Sequence, residues 1–273
     1  MAKYEANELS PRRLAVLIDA DNAQAAVIEG LLAEIARFGE ATVKRIYGDF
    51  TSPNSSQWKK VLNQHAIKPV QQFAYTTGKN ATDSTMIIDA MDLLYTRRFD
   101  GFCLVSSDSD FTGLALRIRE EGLTVLGFGE EKTPDAFRNA CHKFIFTEIL
   151  RSLPAVEVGE PSKPSPAERL DTQITQSASI PAKGTTAKKP LPIQFVVQAL
   201  AHAEDDDGWA NLAAFGSYLT KLQPDFDPRL YGFKKLSDLV KSKPHVFTVE
   251  ERSTSGSNSK VVYVRRTSSK SAH

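Results

Sequence analysis

Between residues 12 and 150, short runs of apolar residues alternate with segments whose apolar residues recur every three or four positions, and two of the runs stop at clusters of aspartate. Leu14-Ala-Val-Leu-Ile18 ends at Asp19, and Phe102-Cys-Leu-Val105 ends at Ser106-Ser107-Asp108-Ser109-Asp110. Runs this short and continuous suit strands buried on both faces. Further strands are expected over 42–47, within 68–75, and over 123–128 and 144–146. Helical spacing is present over 22–38 (Val27, Leu31, Leu32, Ile35, Phe38), 55–65 (Trp58, Val61, Leu62), 82–95 (Met86, Ile87, Met91, Leu94) and 111–121. Strands alternating with helices predict an α/β domain, a parallel sheet sandwiched by helices. In such sheets ligands bind beyond the carboxyl ends of the strands, where the aspartates fall.

Clustered carboxylates repel one another and raise each other's pKa unless a cation neutralises them. Asp19, Asp108 and Asp110 follow strands, and Asp83 opens the helix after Gly78-Lys79-Asn80-Ala81-Thr82. The chain has only 2 Cys, at 103 and 141, with no CxxC and no Cys/His cluster. A structural zinc site and a disulfide scaffold are therefore not expected. An all-oxygen donor set suits Mg²⁺ or Mn²⁺. Asp and Ser also cap helices, so any one of Asp83, Asp108 and Ser109 has a purely structural use. Capping accounts for at most one residue per helix, however, and Asp19 follows an apolar strand directly.

Residues 151–190 are rich in Pro, Ser, Thr and Ala and carry no apolar period, which predicts a flexible linker. Charge divides around it. Residues 1–150 hold 17 Lys/Arg and 20 Asp/Glu, and residues 191–273 hold 11 and 9. Over 191–266, helical patterns at 193–203, 210–222 and 233–241 precede two alternating strands, 246–249 and 261–264. The loop 253–259 between them is rich in Ser and Gly. This is the plan of a small winged-helix α+β domain.

Leu17-Ile18-Asp19-Ala20-Asp21-Asn22, then Lys79-Asn80-Ala81-Thr82-Asp83 running to Asp89, then Ser106-Ser107-Asp108-Ser109-Asp110-Phe111 resemble the NYN domains. These are PIN-like, Rossmann-related nucleases that include the LabA-like proteins, and the likeness covers residues 12–150. It implies Mg²⁺- or Mn²⁺-dependent cleavage of RNA, single-stranded or structured, with Asp19, Asp83, Asp108 and Asp110 as metal-site acids. Asn22 would fix Asp19 or a substrate phosphate, Lys79 and Ser106 would contact RNA, and Asp21 and Asp89 rank second. Members often carry Lys-Gly-Val-Asp before the helix acid, and here one extra residue separates Lys79 from Asp83. Residues 191–266 resemble the OST-HTH, or LOTUS, domain through Gly208-Trp209, Gly216-Ser217-Tyr218-Leu219, Asp225-Phe226-Asp227 and Tyr231-Gly232-Phe233-Lys234-Lys235-Leu236. That implies RNA binding, and protein binding in some members. Lys234, Lys235, Lys241 and Lys243 are the expected phosphate-facing residues, with Arg265 and Arg266 beyond them.

The function expected from these features is a divalent-metal-dependent ribonuclease with a C-terminal domain that selects RNA. DNA is a second possible substrate, because nothing here reads the 2′-hydroxyl. The rival readings are a non-catalytic RNA-binding adaptor and a HAD-like phosphatase. The latter's Asp-x-Asp-x-Thr/Val motif fails at Ala23. No GxGxxG follows the first strand and no Walker A sequence is present, which disfavours a dinucleotide enzyme or a P-loop enzyme. The lack of a membrane-length apolar run or a secretory leader pattern makes cytoplasmic residence the expectation.

Overall fold

The structure is a computed structural model of the 273-residue chain and describes residues 11–51, 56–73, 81–151, 189–253 and 260–267. Its first unit is a six-stranded parallel sheet of β1 (Arg13–Asp19), β2 (Glu40–Gly48), β3 (Lys68–Gln71), β4 (Gly101–Val105), β5 (Thr124–Gly129) and β6 (Lys143–Phe146), in the order β3-β2-β1-β4-β5-β6. Between the strands run α1 (Ile28–Ile35), α2 (Ser56–His65), α3 (Ala81–Tyr95), α4 (Thr112–Glu120) and α5 (Asp135–Ala140). Alternate residues of β1 serve opposite cores. Leu14, Val16 and Ile18 pack with Ile28, Leu31 and Trp58, whereas Ala15 and Leu17 pack with Met86, Phe111 and Phe137. Helices on both faces are the reason β1 and β4 are apolar at consecutive positions.

Two elements depart from the sequence-based expectation. The helix expected over 22–38 shrinks to a 3-10 turn, Ala25–Val27, and α1. The residues before it form a tight turn in which the Ala23 N–H donates to the Asp19 carbonyl at 2.9 Å. Helix α5 was not foreseen. Its six residues are too few to display a helical period, and it is anchored by the buried Phe137. Lys79 and residues 152–188 of the expected linker lie outside the described residues.

Gly129 ends β5 where its neighbours leave no room for a side chain. A Cβ there would lie 2.5 Å from the Ser106 carbonyl oxygen and 2.7 Å from Thr133 Oγ1. Gly129→Ala is expected to push the tip of β4 aside and to cost about 1–3 kcal/mol of stability, read as a lowered denaturation midpoint.

The second unit contains α6 (Ile193–Ala201), β7 (Ala210–Asn211), α7 (Leu212–Leu222), α8 (Leu236–Lys241), β8 (Phe247–Ser253) and β9 (Lys260–Arg266). Its antiparallel sheet has the order β7-β9-β8, and Phe215, Leu219, Val240, Phe247 and Val264 fill its core. The winged-helix expectation holds, with two helices starting later than expected. Asn211 caps α7, its side chain accepting from the Ala213 and Ala214 N–H groups at 2.9 and 3.2 Å, so residues 210–211 join the sheet instead. The helix expected from 233 starts at Leu236, because a 3-10 turn, Pro228–Tyr231, ends at Gly232 with φ of 85°. The loop at 254–259 lies outside the described residues.

The turn around residues 224–231 docks the second unit on the first. The Phe144 N–H of β6 donates to the Pro224 carbonyl at 2.9 Å. Arg229 grips Glu34 of α1 with two bonds of 2.9 and 3.1 Å and also holds Asp227, while Arg138 of α5 pairs with Asp225. Leu230 packs against the apolar core of the first sheet.

Candidate functional site

Strands β1 and β4 are parallel neighbours, with Ile18 opposite Val105. The chain leaves β1 toward β2 on one side and leaves β4 toward β5 on the other. This divergence opens a crevice at the carboxyl ends of the two strands, the place where doubly wound sheets bind ligands.

Adjacent registers set Asp19 beside Ser106. The Ser106 hydroxyl donates to Asp19 Oδ2 at 2.8 Å and accepts the Asp108 N–H at 3.0 Å. Asn22 Nδ2 donates to the same Asp19 oxygen at 2.8 Å, and the Asp21 N–H donates to Oδ1 at 2.9 Å. Asp19 is fully buried, and burial pushes its carboxyl above the ordinary value despite these three donors.

Helix α3 begins at the same rim, with Asp83 in its first turn. Carboxylate oxygens of Asp83, Asp108 and Asp110 all lie within 4.8 Å of one another. Burial, and then the charges of Asp19, Asp108, Asp110 and Asp21, push the Asp83 carboxyl up to about 6. Asp108 also caps the 3-10 turn Ser109–Phe111, its Oδ1 accepting the Asp110 N–H at 2.9 Å. Capping does not preclude ligation, since an ionised carboxylate offers two oxygens and several lone pairs.

Three of the four expected acids thus converge, and Asp19 lies beneath them in electrostatic contact with Asp83. Of the two roles open to Asn22, the hydrogen bond to Asp19 is the one present. Ser106, expected among the RNA contacts, lies instead under the acids. It is buried and its hydroxyl is engaged on both sides. Asp89 turns away from the rim, where the Arg45 guanidinium and the Tyr47 hydroxyl take its two oxygens and tie α3 to β2. Burial and this contact raise the Tyr47 phenol well above its usual range.

Sequence reasoning missed Glu130. It follows Gly129 at the tip of β5, a position that the strand-end rule applied to Asp19 and Asp108 also singles out. Its N–H donates to Ser107 Oγ at 2.8 Å, and its carboxylate accepts from Gln24 Nε2 at 3.1 Å and pairs with Lys132. It thereby joins the loops that follow β1, β4 and β5.

In the second unit, Lys234 and Lys235 are exposed and have no carboxylate partner among the described residues. Lys241 instead pairs with Glu251 at 2.9 Å, which reduces its pull on a phosphate. His142 is structural, its Nδ1 accepting the Val125 N–H at 3.0 Å.

A doubly wound parallel sheet with a carboxylate cluster at its switch point, joined to a winged-helix unit, defines a PIN-like α/β protein with a second, recognition-type domain. The NYN domain model matches residues 13–150, and the OST-HTH/LOTUS domain model matches residues 188–259. The chain belongs to the NYN domain family, a PIN-like nuclease family, and carries a C-terminal domain of an RNA-binding type.

Among solved structures, the chain is similar to the solution NMR structure of an uncharacterized protein from Nitrosomonas europaea. The identity is 48%, covering 37% of this chain and 98% of that one, with a TM-score of 0.29. A crystal structure of a protein of unknown function from Vibrio parahaemolyticus is 17% identical, covering 51% of this chain and 95% of that one, with a TM-score of 0.44. A solution NMR structure from Chromobacterium violaceum is 32% identical over 32% of this chain and 90% of that one, with a TM-score of 0.25. A search of curated proteins found no match. Among the described residues, no helix is long and apolar enough to cross a membrane.

Proposed function

We propose that the chain hydrolyses RNA phosphodiester bonds with Mg²⁺ or Mn²⁺ held by Asp83, Asp108 and Asp110 and supported by Asp19. Residues 12–150 are the nuclease domain, 151–190 the connecting segment, and 191–266 the domain that selects RNA, with Lys234 and Lys235 as its phosphate contacts. The observation that carries this reading is the convergence of three carboxylates within 4.8 Å at the switch point of the sheet. The donor set is all oxygen and strongly anionic, which fits a hard divalent cation. The chemistry such an ion supplies when bound is polarisation of the phosphoryl oxygens and acidification of water. The protein's own contribution is placement. Ser106 and Asn22 fix Asp19, Asp19 sets the charge beneath the cluster, and the first turn of α3 brings Asp83 over the rim. The HAD-like alternative needs an attacking carboxylate at the end of β1. Asp19 is fully buried with both oxygens hydrogen-bonded, which leaves no open face for that attack.

The test is cleavage of labelled RNA and DNA oligonucleotides with each metal and with EDTA. RNA cleavage is expected with Mn²⁺ or Mg²⁺ and is expected to fall on the order of a thousandfold in Asp108→Asn. Cleavage that persists in EDTA refutes the proposal, and RNA binding without cleavage under every condition assigns an adaptor instead. A second readout is thermal. Mn²⁺ is expected to raise Tm by several degrees at pH 7.5 and by much less at pH 5, where a proton on Asp83 competes with the ion.

A further inference from the structure

The outer face of the β7-β9-β8 sheet carries an arrangement that the nuclease reading leaves unused. Val264 of β9 is fully buried in the core, so Tyr263 and Arg265 project from the opposite face of the sheet. On β8, Thr248 lies opposite Arg265 and Glu250 opposite Tyr263, which puts Arg252 on the same outer face. Trp209 precedes β7, where Ala210 points inward against Val264, and therefore belongs to this face as well. The Arg265 and Arg252 guanidinium carbons lie over the Trp209 ring, 4.5 and 4.9 Å from its centroid, and Arg252 also lies 4.4 Å from the Tyr263 centroid. Trp209 is only 8% exposed beneath them. Arg265 is exposed and has no carboxylate partner among the described residues, and Arg252 has Glu250 at 3.2 Å.

An arginine resting on an aromatic ring has already given up much of its rotamer freedom, so binding through its outer surface costs less ordering entropy. A planar guanidinium offers a stacking plane to a base and N–H donors to a phosphate. We propose that this face is a stacking site for unpaired bases of single-stranded RNA, with Arg252, Arg265 and Tyr263 as the contacts and Trp209 as the platform that holds the two arginines. The proposal rests on the RNA-binding reading of the C-terminal domain and places the bases on its sheet, apart from the lysines that precede α8.

The experiment uses the full chain carrying Asp108→Asn, in EDTA, so that the RNA stays intact. Binding of a fluorescein-labelled single-stranded RNA is compared with binding by Arg252→Lys/Arg265→Lys, which keeps both charges and removes both planes, and by Lys234→Gln/Lys235→Gln. The arginine double variant is expected to bind about tenfold more weakly or worse at unchanged Tm. A duplex RNA of equal length is expected to compete poorly. If the arginine pair fails to fold, Tyr263→Leu carries the same expectation. Unchanged affinity in the folded arginine variant, or equal competition by duplex, overturns the stacking site. Loss confined to the lysine variant also overturns it, while the RNA-binding reading stands. A wild-type chain that binds no RNA removes both.

Discussion

Asp83→Asn is expected to abolish metal-dependent RNA cleavage and, in the same protein, to raise the melting temperature measured in EDTA. The two effects share one cause. Burial and four neighbouring carboxylates hold the Asp83 carboxyl at about 6, above its ordinary value of 3.8. A carboxyl whose folded pKa is raised is less stable when ionised in the fold than in the open chain, so at pH 7 it lowers stability. An amide of the same shape removes that cost, which is about 1–2 kcal/mol once solvent screening of the partly exposed group is allowed for, or a few degrees in Tm. The metal-free wild type is expected to gain stability as pH falls from about 6 toward 4, and the variant is expected to lack this slope. Activity moves the other way, because the charge that strains the empty site is the charge that attracts a cation. A loss on the order of a thousandfold is expected, with the ion's protective shift in Tm lost as well. A variant that cuts RNA normally, or whose EDTA Tm drops, would show that Asp83 only packs the start of α3.

Arg229→Ala is expected to release the C-terminal domain from the first sheet without unfolding either part. Arg229 is the shared cation of Glu34 and Asp227, which are 6% and 5% exposed. Burial alone would raise the Asp227 carboxyl, but the bonds and charge of Arg229 outweigh it and hold the group below its ordinary value. Removing the guanidinium leaves two buried carboxylates without their shared cation; Glu34 keeps the exposed Arg37, and Asp227 keeps the backbone N–H of residue 229 and the nearby charge of Lys143. The cost is about 2–4 kcal/mol. It falls on the contact between the domains, so the readout is small-angle scattering, with a larger radius of gyration at an unchanged circular dichroism spectrum. The pH dependence has a defined sign. A depressed carboxyl gives stability that is present above the ordinary pKa and lost as pH falls through the folded value. The wild type is therefore expected to open on acidification below about pH 4. Unchanged scattering in Arg229→Ala would show that the Arg138–Asp225 pair, Leu230 and the Phe144–Pro224 bond suffice.

What the sequence discloses depends on the range over which each signal acts. The strands β1 and β4 are legible because both faces are buried, so every residue from Leu14 to Ile18 is apolar. Asp83, Asp108 and Asp110 are legible because acids at strand ends and helix starts break an otherwise apolar pattern. Helix α5 and strand β7 are too short to show any period. Asp89 looks like a fifth acid until Arg45 is seen beside it, and that pairing spans a register between β2 and α3 that no local pattern encodes. Ser106 reads as a phosphate contact from its place after a strand. The register between β1 and β4 sets its hydroxyl against Asp19 instead, a pairing that no local pattern encodes. The bridge between Arg229 and Glu34 joins residues 195 positions apart and leaves no trace in composition.

The bond from Phe144 to the Pro224 carbonyl bears on how the chain tolerates being divided. The far margin of the sheet, β3, carries Lys68 and Pro69, two residues that discourage another strand from adding there. The opposite margin, Lys-Phe-Ile-Phe, has no such guard of its own beyond Lys143, and a foreign loop shields it. A fragment ending near residue 150 would leave the β6 edge and the Phe144 backbone donor open to its neighbours, and is expected to self-associate more readily than the whole chain.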